Sequence, residues 1–236
     1  KSLCPQFDSG SGHHSLGNWR RYLIRCIGNT VAGLSTNCDA YLHPIFHTEY
    51  LKRFMSAEKE LQVRYQSEAR AQRFYKNQML NHLNERMLTF IPQQEMLFIS
   101  TADATGHCDA SIRVGPKGFI HILDPKTIAY PEYRGNGVYA SLGNIVENGH
   151  IGLLMIDFYD STIGLHINGR AEIVNQMANI QDPLAERWVL VSIDEAYIQC
   201  SKHIPRLIPT GKHIVWNTDD DKLKGGDFFD VQKSHS

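Results

Sequence analysis

Residues 130–148 carry the pattern in this chain most suited to chemistry. Tyr130, Pro131, Glu132, Tyr133 and Arg134 lead into Gly135-Asn136-Gly137, and an apolar-periodic stretch then runs to Asn148-Gly149. The order predicts a strand, a glycine-bearing turn, a helix and a stop. Asn136 is the residue type that caps a helix, and Val138, Leu142 and Ile145 give the helix an apolar side. A helix start presents unpaired N–H groups and the positive end of the helix dipole, which suits a phosphate. Arg134 stands immediately before it, and a guanidinium can grip a phosphate through two parallel hydrogen bonds. On this stretch alone a second reading stays open: the glycines simply make a turn and Arg134 is solvated.

Just upstream, Arg113 and Lys117 straddle the Gly115-Pro116 bend. If that bend closes toward the helix start, Arg113, Lys117 and Arg134 converge with Ser141 on one dianion. The elements needed to position them are legible around them. Residues 96–101 and 108–114 read as strands about a loop at 103–107; 118–123 and 127–130 pair about Asp124-Pro125-Lys126; 151–158 and 162–174 pair about Tyr159-Asp160-Ser161; and 187–199 is a long final strand. Hairpins at this spacing with one intervening helix predict a mainly β (α+β) fold, a closed or nearly closed antiparallel barrel.

Before Pro92 the residues Leu51, Phe54, Met55, Leu61, Tyr65, Ala69, Phe74, Met79 and Leu83 recur at mostly three- to five-residue steps, predicting one or two amphipathic helices. Ser56 is placed to cap one of them, with Glu58 and Glu60 in its first turn. Pro92 closes the helical region. The expected organisation is therefore an N-terminal extension over 1–47, a helical region over 48–92 packing on the barrel, a barrel domain over 93–210 and a C-terminal tail over 211–236. The extension is rich in Gly, Ser, Asn and His and poor in acids, with Arg20, Arg21 and Arg25 clustered. That composition reads first as a poorly ordered terminus and second as an organellar targeting segment.

Composition bounds the function. The 236 residues include 24 Lys plus Arg against 25 Asp plus Glu, a net charge of -1, so there is no global basic field for a nucleic-acid backbone. The longest apolar run, 151–156, is strand-sized, far below the roughly 20 residues of a membrane-spanning helix. Five scattered cysteines contain no CxxC pair, which predicts a reducing, cytoplasmic setting, and the 12 histidines show no metal-ligand spacing. Cys200 reads as a buried strand-end thiol rather than a nucleophile.

The ordered set formed by Phe98 to Asp103, Gly106, Cys108 to Lys117, Tyr130 to Asn148, Ile151-Gly152-Leu153-Leu154 and Gly169-Arg170-Ala171 resembles the pyridoxamine 5'-phosphate oxidase-like, FMN-binding split-barrel family, in its uncharacterised branch. The resemblance spans residues 93–206. It implies a split β-barrel, a homodimer, and FMN in clefts at the subunit interface. Carried over by position, it implies that Arg113 and Lys117 hold the cofactor phosphate and line the flavin, that Arg134, Asn136 and Ser141 complete the phosphate site, and that Tyr130, Pro131 and Glu132 run beside the ring. His166 falls where the family places polar groups near the ring edge, with a hydrogen-bonded barrel histidine of no role as the other reading. The arginine-x-histidine substrate motif of the vitamin B6 oxidases is replaced here by Cys200-Ser201-Lys202-His203-Ile204-Pro205-Arg206. Lys202, His203 and Arg206 are then the candidates for selecting a small, anionic substrate. The implied activity is an FMN-dependent oxidoreductase; the alternatives are a flavin- or haem-binding module without turnover and a deazaflavin-dependent reductase.

Overall fold

A computed structural model describes residues 56–211, 220, 223 and 228–231. The expected N-terminal extension, 1–47, lies outside the described residues. The chain divides into two units, Lys1–Tyr65 and Gln66–Ser236. In the first, helix α1 (Ala57–Arg64) begins at Ser56, whose hydroxyl accepts from the Lys59 N–H at 3.4 Å, with Glu58 and Glu60 in the favoured first turn.

The second unit opens with α2 (Glu68–Gln78), a two-residue strand β1 (Met79–Leu80) and α3 (Glu85–Phe90), which is capped by Asn84 through a 3.0 Å bond from the Met87 N–H. Pro92 sits inside the 3-10 turn Ile91–Gln93 that ends this helical stretch. The strands follow: β2 (Met96–Ala102), β3 (Cys108–Val114), β4 (His121–Asp124), β5 (Thr127–Tyr133), then α4 (Ala140–Glu147), β6 (His150–Ile156), β7 (Gly164–Val174) and β8 (Ala185–Gln199). All pairings are antiparallel in the order β3-β2-β6-β7-β8-β5-β4, with β1 added beside the far end of β8. The barrel is open rather than closed, because β3 and β4 do not pair; this is a split barrel.

The hairpin loop between β2 and β3 is held by Asp103, whose Oδ1 accepts from the Thr105 N–H, the Thr105 hydroxyl and the His107 N–H, all within 2.9 Å. Such side-chain capture of nearby N–H groups is why Asp and Thr make turns. Period-two alternation then sends Leu97, Ile99, Ile128, Ile151, Leu153, Met155, Leu165, Ile167, Val189 and Val191 into one core together with Tyr130, each aliphatic or methionine side chain contributing about 1.5–3 kcal/mol on burial. Leu142 and Ile145 of α4 join that core, and Leu83 and Ile91 anchor the preceding helical stretch to it.

The structure shifts several expected boundaries. The strand expected over 118–123 is confined to β4, because the Phe119 N–H bonds to the Pro116 carbonyl in a turn, and Phe119 and Ile120 are buried as turn residues. Strand β5 continues through Pro131 to Tyr133. Proline is admitted at sheet edges, and β4 pairs only as far as Ala129, so Pro131 has a single neighbour, Trp188 of β8. Val138, expected on the apolar side of the helix, lies before α4 and is exposed. Cys200 is exposed rather than buried, since it follows β8 at the start of the 3-10 turn Ser201–His203.

Strand β8 pairs with β5 on one side and β7 on the other, and its ladder with β7 slips between Asn168 and Gly169. At that slip the backbones approach so closely that a Cβ on Gly169 would stand 2.0 Å from the Ser192 carbonyl oxygen. Gly169→Ala is therefore expected to lower the unfolding free energy by at least the ~1–3 kcal/mol usual for overpacking. Gly143→Ala, in α4 with nothing within 4 Å of the added methyl, is expected to raise it by about 0.5–1 kcal/mol. Urea denaturation of both variants checks the pair; equal effects would show that the slip tolerates a side chain.

Candidate functional site

Residues directly opposite each other on paired strands share a face. Leu97, Ile99 and Thr101 of β2 point into the core, and their partners on β3 are Arg113, Ser111 and Asp109. The inward face of this edge strand is thus a polar row at the split. Across the gap, where β5 has run past the end of β4, Glu132 faces the same row. Arg113 Nε donates to Glu132 Oε1 at 2.7 Å, with the two side chains 18% and 9% exposed. Arg113 Nη1 also donates to the Ser111 hydroxyl and, at 3.3 Å, to the Ile112 carbonyl.

Helix α4 closes the end of this gap. Its buried Ser141 donates its hydroxyl to Asp109 Oδ2 at 2.5 Å, and Asn144 donates to the Thr101 hydroxyl at 3.1 Å. The helix start carries no side-chain cap: Tyr139 occupies the cap position in a left-handed conformation, φ 57°. Asn136, expected as the cap, instead accepts from the Val138 N–H at 3.0 Å and shapes the turn upstream. Left-handed backbone at a bulky residue is strained and persists only where the surroundings impose it.

These elements enclose a cavity of about 450 Å3 whose lining includes Asp109, Arg113, Glu132, Arg134, Ser141 and Arg187. Its size is that of a small-molecule site. Arg187, from β8, lies with its guanidinium 4.9 Å from the centre of the Tyr139 ring. Burial holds the Glu132 carboxyl above its ordinary range, against the pull of Arg113 and Arg187. Burial likewise pushes the Tyr130 phenol up, and the Tyr130 hydroxyl, within electrostatic reach of Glu132 and Arg113, is a buried oxygen with no hydrogen-bond partner. Tyr133 donates its hydroxyl to Asp182 at 2.8 Å. Three guanidinium groups, a buried hydroxyl and an uncapped helix start form a donor set that fits a phosphate or another small anion.

The sequence-based candidates therefore divide. Arg113, Pro131, Glu132, Arg134, Asn136 and Ser141 line one cavity, and Tyr130 packs in the core beside it. Lys117 does not converge with them. The 115–119 turn carries it away to a separate cavity of about 610 Å3, lined also by Glu85, Arg86, Glu95, Asp157 and Asp160. The Phe119 N–H bonds the Pro116 carbonyl within this turn, and the Phe119 ring fills the space beside Gly115, where a Cβ would meet it at 2.3 Å. His166 lines neither cavity: it stacks on Tyr197 at 4.7 Å and bonds Gln199 Oε1 at 2.7 Å. Lys202 and His203 are exposed in the turn after β8, and Arg206 donates to the Asp160 carbonyl at 2.7 Å. Among the described residues, no group of three or more His, Cys, Asp or Glu side chains is placed to hold a metal ion, and no helix is long and apolar enough to cross a membrane.

Sequence reasoning missed Asp109 and Arg187. The first was recoverable, because Asp109, Ser111 and Arg113 alternate at period two opposite the core residues of β2; Arg187 belongs to no motif and is brought in by the β5–β8 register alone. Breaking the Arg113–Glu132 pair should leave a buried carboxylate uncompensated, so Arg113→Met is expected to cost about 3 kcal/mol of stability. The double variant Arg113→Met/Glu132→Leu should recover most of that loss in urea titrations. Additive losses would show that the two side chains act independently.

Comparison with curated proteins finds no match. Among solved structures, the chain is similar to HupZ of Group A Streptococcus (20% identity, 53% of this chain and 99% of that one, TM-score 0.39). It is similar to a putative pyridoxamine 5'-phosphate oxidase from Listeria innocua (14%, 48% and 95%, TM-score 0.34). A third is HutZ, the heme storage protein from Vibrio cholerae (12%, 48% and 93%, TM-score 0.34). The family model for pyridoxamine 5'-phosphate oxidase matches residues 83–200, half of the chain, and takes in every strand from β2 to β8 together with α4. With its open antiparallel barrel and the strand, turn and helix around Arg134, this chain belongs to the pyridoxamine 5'-phosphate oxidase family.

Proposed function

We propose that the protein is an FMN-dependent oxidoreductase acting on a small anionic substrate, and that the cavity between β3, β5 and α4 holds the FMN phosphate. The observation that carries this reading is the convergence of Arg113, Arg134 and the buried Ser141 hydroxyl at an uncapped helix start. Membership of a flavin-binding family supports the choice of ligand. In this reading Arg113, Arg134, Ser141 and the first N–H groups of α4 bind the phosphate. The strand from Tyr130 to Glu132 lies along the ring, and the core behind it excludes water. Bound flavin would supply hydride or electron transfer, and the protein supplies orientation and electrostatics.

The reading includes a homodimer. Ile112 and Val138 of the cavity's lining are exposed apolar residues. A cleft completed by the same surface of a second chain would cover them. Light scattering is expected to report about twice 26.8 kDa; a strict monomer that still holds FMN would remove the dimer from the proposal.

The ligand is tested by binding and by spectrum. Replacing Arg134 by Ala removes a charge-assisted hydrogen bond of roughly 1.5–3 kcal/mol, which at about 1.4 kcal/mol per tenfold weakens FMN by about 10- to 150-fold. Riboflavin, which lacks the phosphate, should bind the variant and the wild type nearly alike. Equal losses for both ligands would place the phosphate elsewhere. The absorption spectrum of the protein as purified is expected to show the two visible bands of an oxidised flavin; a sharp Soret band in their place would make it a haem protein.

A further inference from the structure

We propose that Glu132 and Asp109 are internal stand-ins for the phosphate, holding Arg113 and the Ser141 hydroxyl until an anionic ligand displaces them, and that Glu132 takes up a proton when displaced. This rests on the reading of the cavity as the FMN phosphate site.

Both principal donors of the cavity are already engaged by carboxylates of the same chain. Arg113 Nε is bonded to Glu132 at 2.7 Å, and Ser141 Oγ to Asp109 Oδ2 at 2.5 Å. A phosphate dianion that takes these donors brings two negative charges against two carboxylates. The charged and titratable groups around Glu132 are Arg113 and Asp109 of β3, Tyr130 and Tyr133 of β5, Arg134 and Tyr139 of the connecting turn, and Arg187 of β8, with Glu186 bonded to Arg187 at 3.5 Å and Asp182 bonded to Tyr133; α4 presents no acid or base in its first or last turn except Glu147, which bonds the Ala104 N–H away from the cavity. Three guanidinium charges, one of them shared with Glu186, would face two carboxylates and a dianion, so negative charge would be in excess. That excess favours the departure or protonation of one carboxylate, since like charges in contact disfavour ionisation.

The two carboxylates differ in where they can go. Asp109 is half-buried at the rim and can turn to water when Ser141 leaves it. Glu132 is 7% exposed on a strand packed against β8 and cannot. Its carboxyl already sits above the ordinary range with Arg113 in place. Loss of that partner removes the largest attraction favouring the ionised form, and the proton goes to Glu132. Binding that takes up one proton weakens about tenfold for each pH unit of rise while the free carboxyl is ionised.

The experiment is calorimetric titration of the whole 236-residue chain with FMN near pH 8, where the FMN phosphate is already a dianion, in two buffers of different ionisation enthalpy. The dependence of the observed heat on the buffer should give about one proton taken up per FMN, and riboflavin should give none. Glu132→Gln, which frees Arg113 without leaving a charge to protonate, should abolish the uptake, flatten the pH dependence and bind FMN more tightly than wild type at pH 8. FMN binding by the wild type with no net proton uptake, or weaker binding by Glu132→Gln while riboflavin binding is kept, overturns the inference and leaves the flavin reading standing. Failure of the wild type to bind FMN at any pH overturns both. Should Glu132→Gln fail to fold, the wild-type proton count decides alone.

Discussion

One ion pair stands where the sheet fails to close. In an antiparallel barrel the backbone ladder normally joins the first and last strands, but here β3 and β4 remain unpaired, and Arg113 and Glu132 meet across the gap at 2.7 Å. A side-chain contact does locally what hydrogen-bonded backbone does elsewhere in the barrel. Because it is made of charges in a largely buried place, it is sensitive to any third charge that enters. The opening that costs the fold part of its ladder is also the opening that gives the protein a cavity.

The rest of the architecture holds the two sides of that gap in place. Strand β8 carries β5, and therefore Glu132, through a continuous register from Thr127 to Glu132 that shifts only before Tyr133, while β2 carries Arg113 on the other side. The slip at Gly169 lets β7 follow β8 where the two backbones nearly touch. Helix α4 spans the end of the gap, with Leu142 and Ile145 in the core and Ser141 and Asn144 bonded to β3 and β2. Its start is consequently fixed by packing rather than by a cap, and its first residues, Ala140 and Ser141, line the cavity.

The charges are segregated by the 115–119 turn. Arg113, Arg134 and Arg187 share one cavity with Glu132 and Asp109, while Lys117 and Arg86 share another with four carboxylates, Glu85, Glu95, Asp157 and Asp160. Asp157 in that second cavity is occupied with its own turn. Burial alone would raise its carboxyl, yet bonds from the Ser161 hydroxyl and the N–H groups of Tyr159, Asp160 and Ser161 hold it below the ordinary carboxylate range. The two cavities therefore differ in kind: one sets cationic donors around a hydroxyl and a helix start, and the other is rimmed by acids already engaged in part by backbone.

What the sequence determined by itself was local. The hairpin at Asp103 to His107, the alternation through β3, the cap at Ser56 and the helix that stops at Asn148 are written in neighbouring residues, because turns, caps and period-two faces depend on contacts a few residues apart. Family resemblance extended that reading to a split barrel and to Arg113, Arg134 and Ser141 as neighbours. Only the tertiary structure decided that Lys117 turns away, that His166 is occupied with Tyr197 and Gln199, and that Arg187 and Asp109 belong to the cavity. These outcomes hang on the 115–119 turn, on the registers of β7 and β5 against β8, and on that of β3 against β2. Such long-range contacts choose among conformations that the local sequence leaves nearly equal in energy.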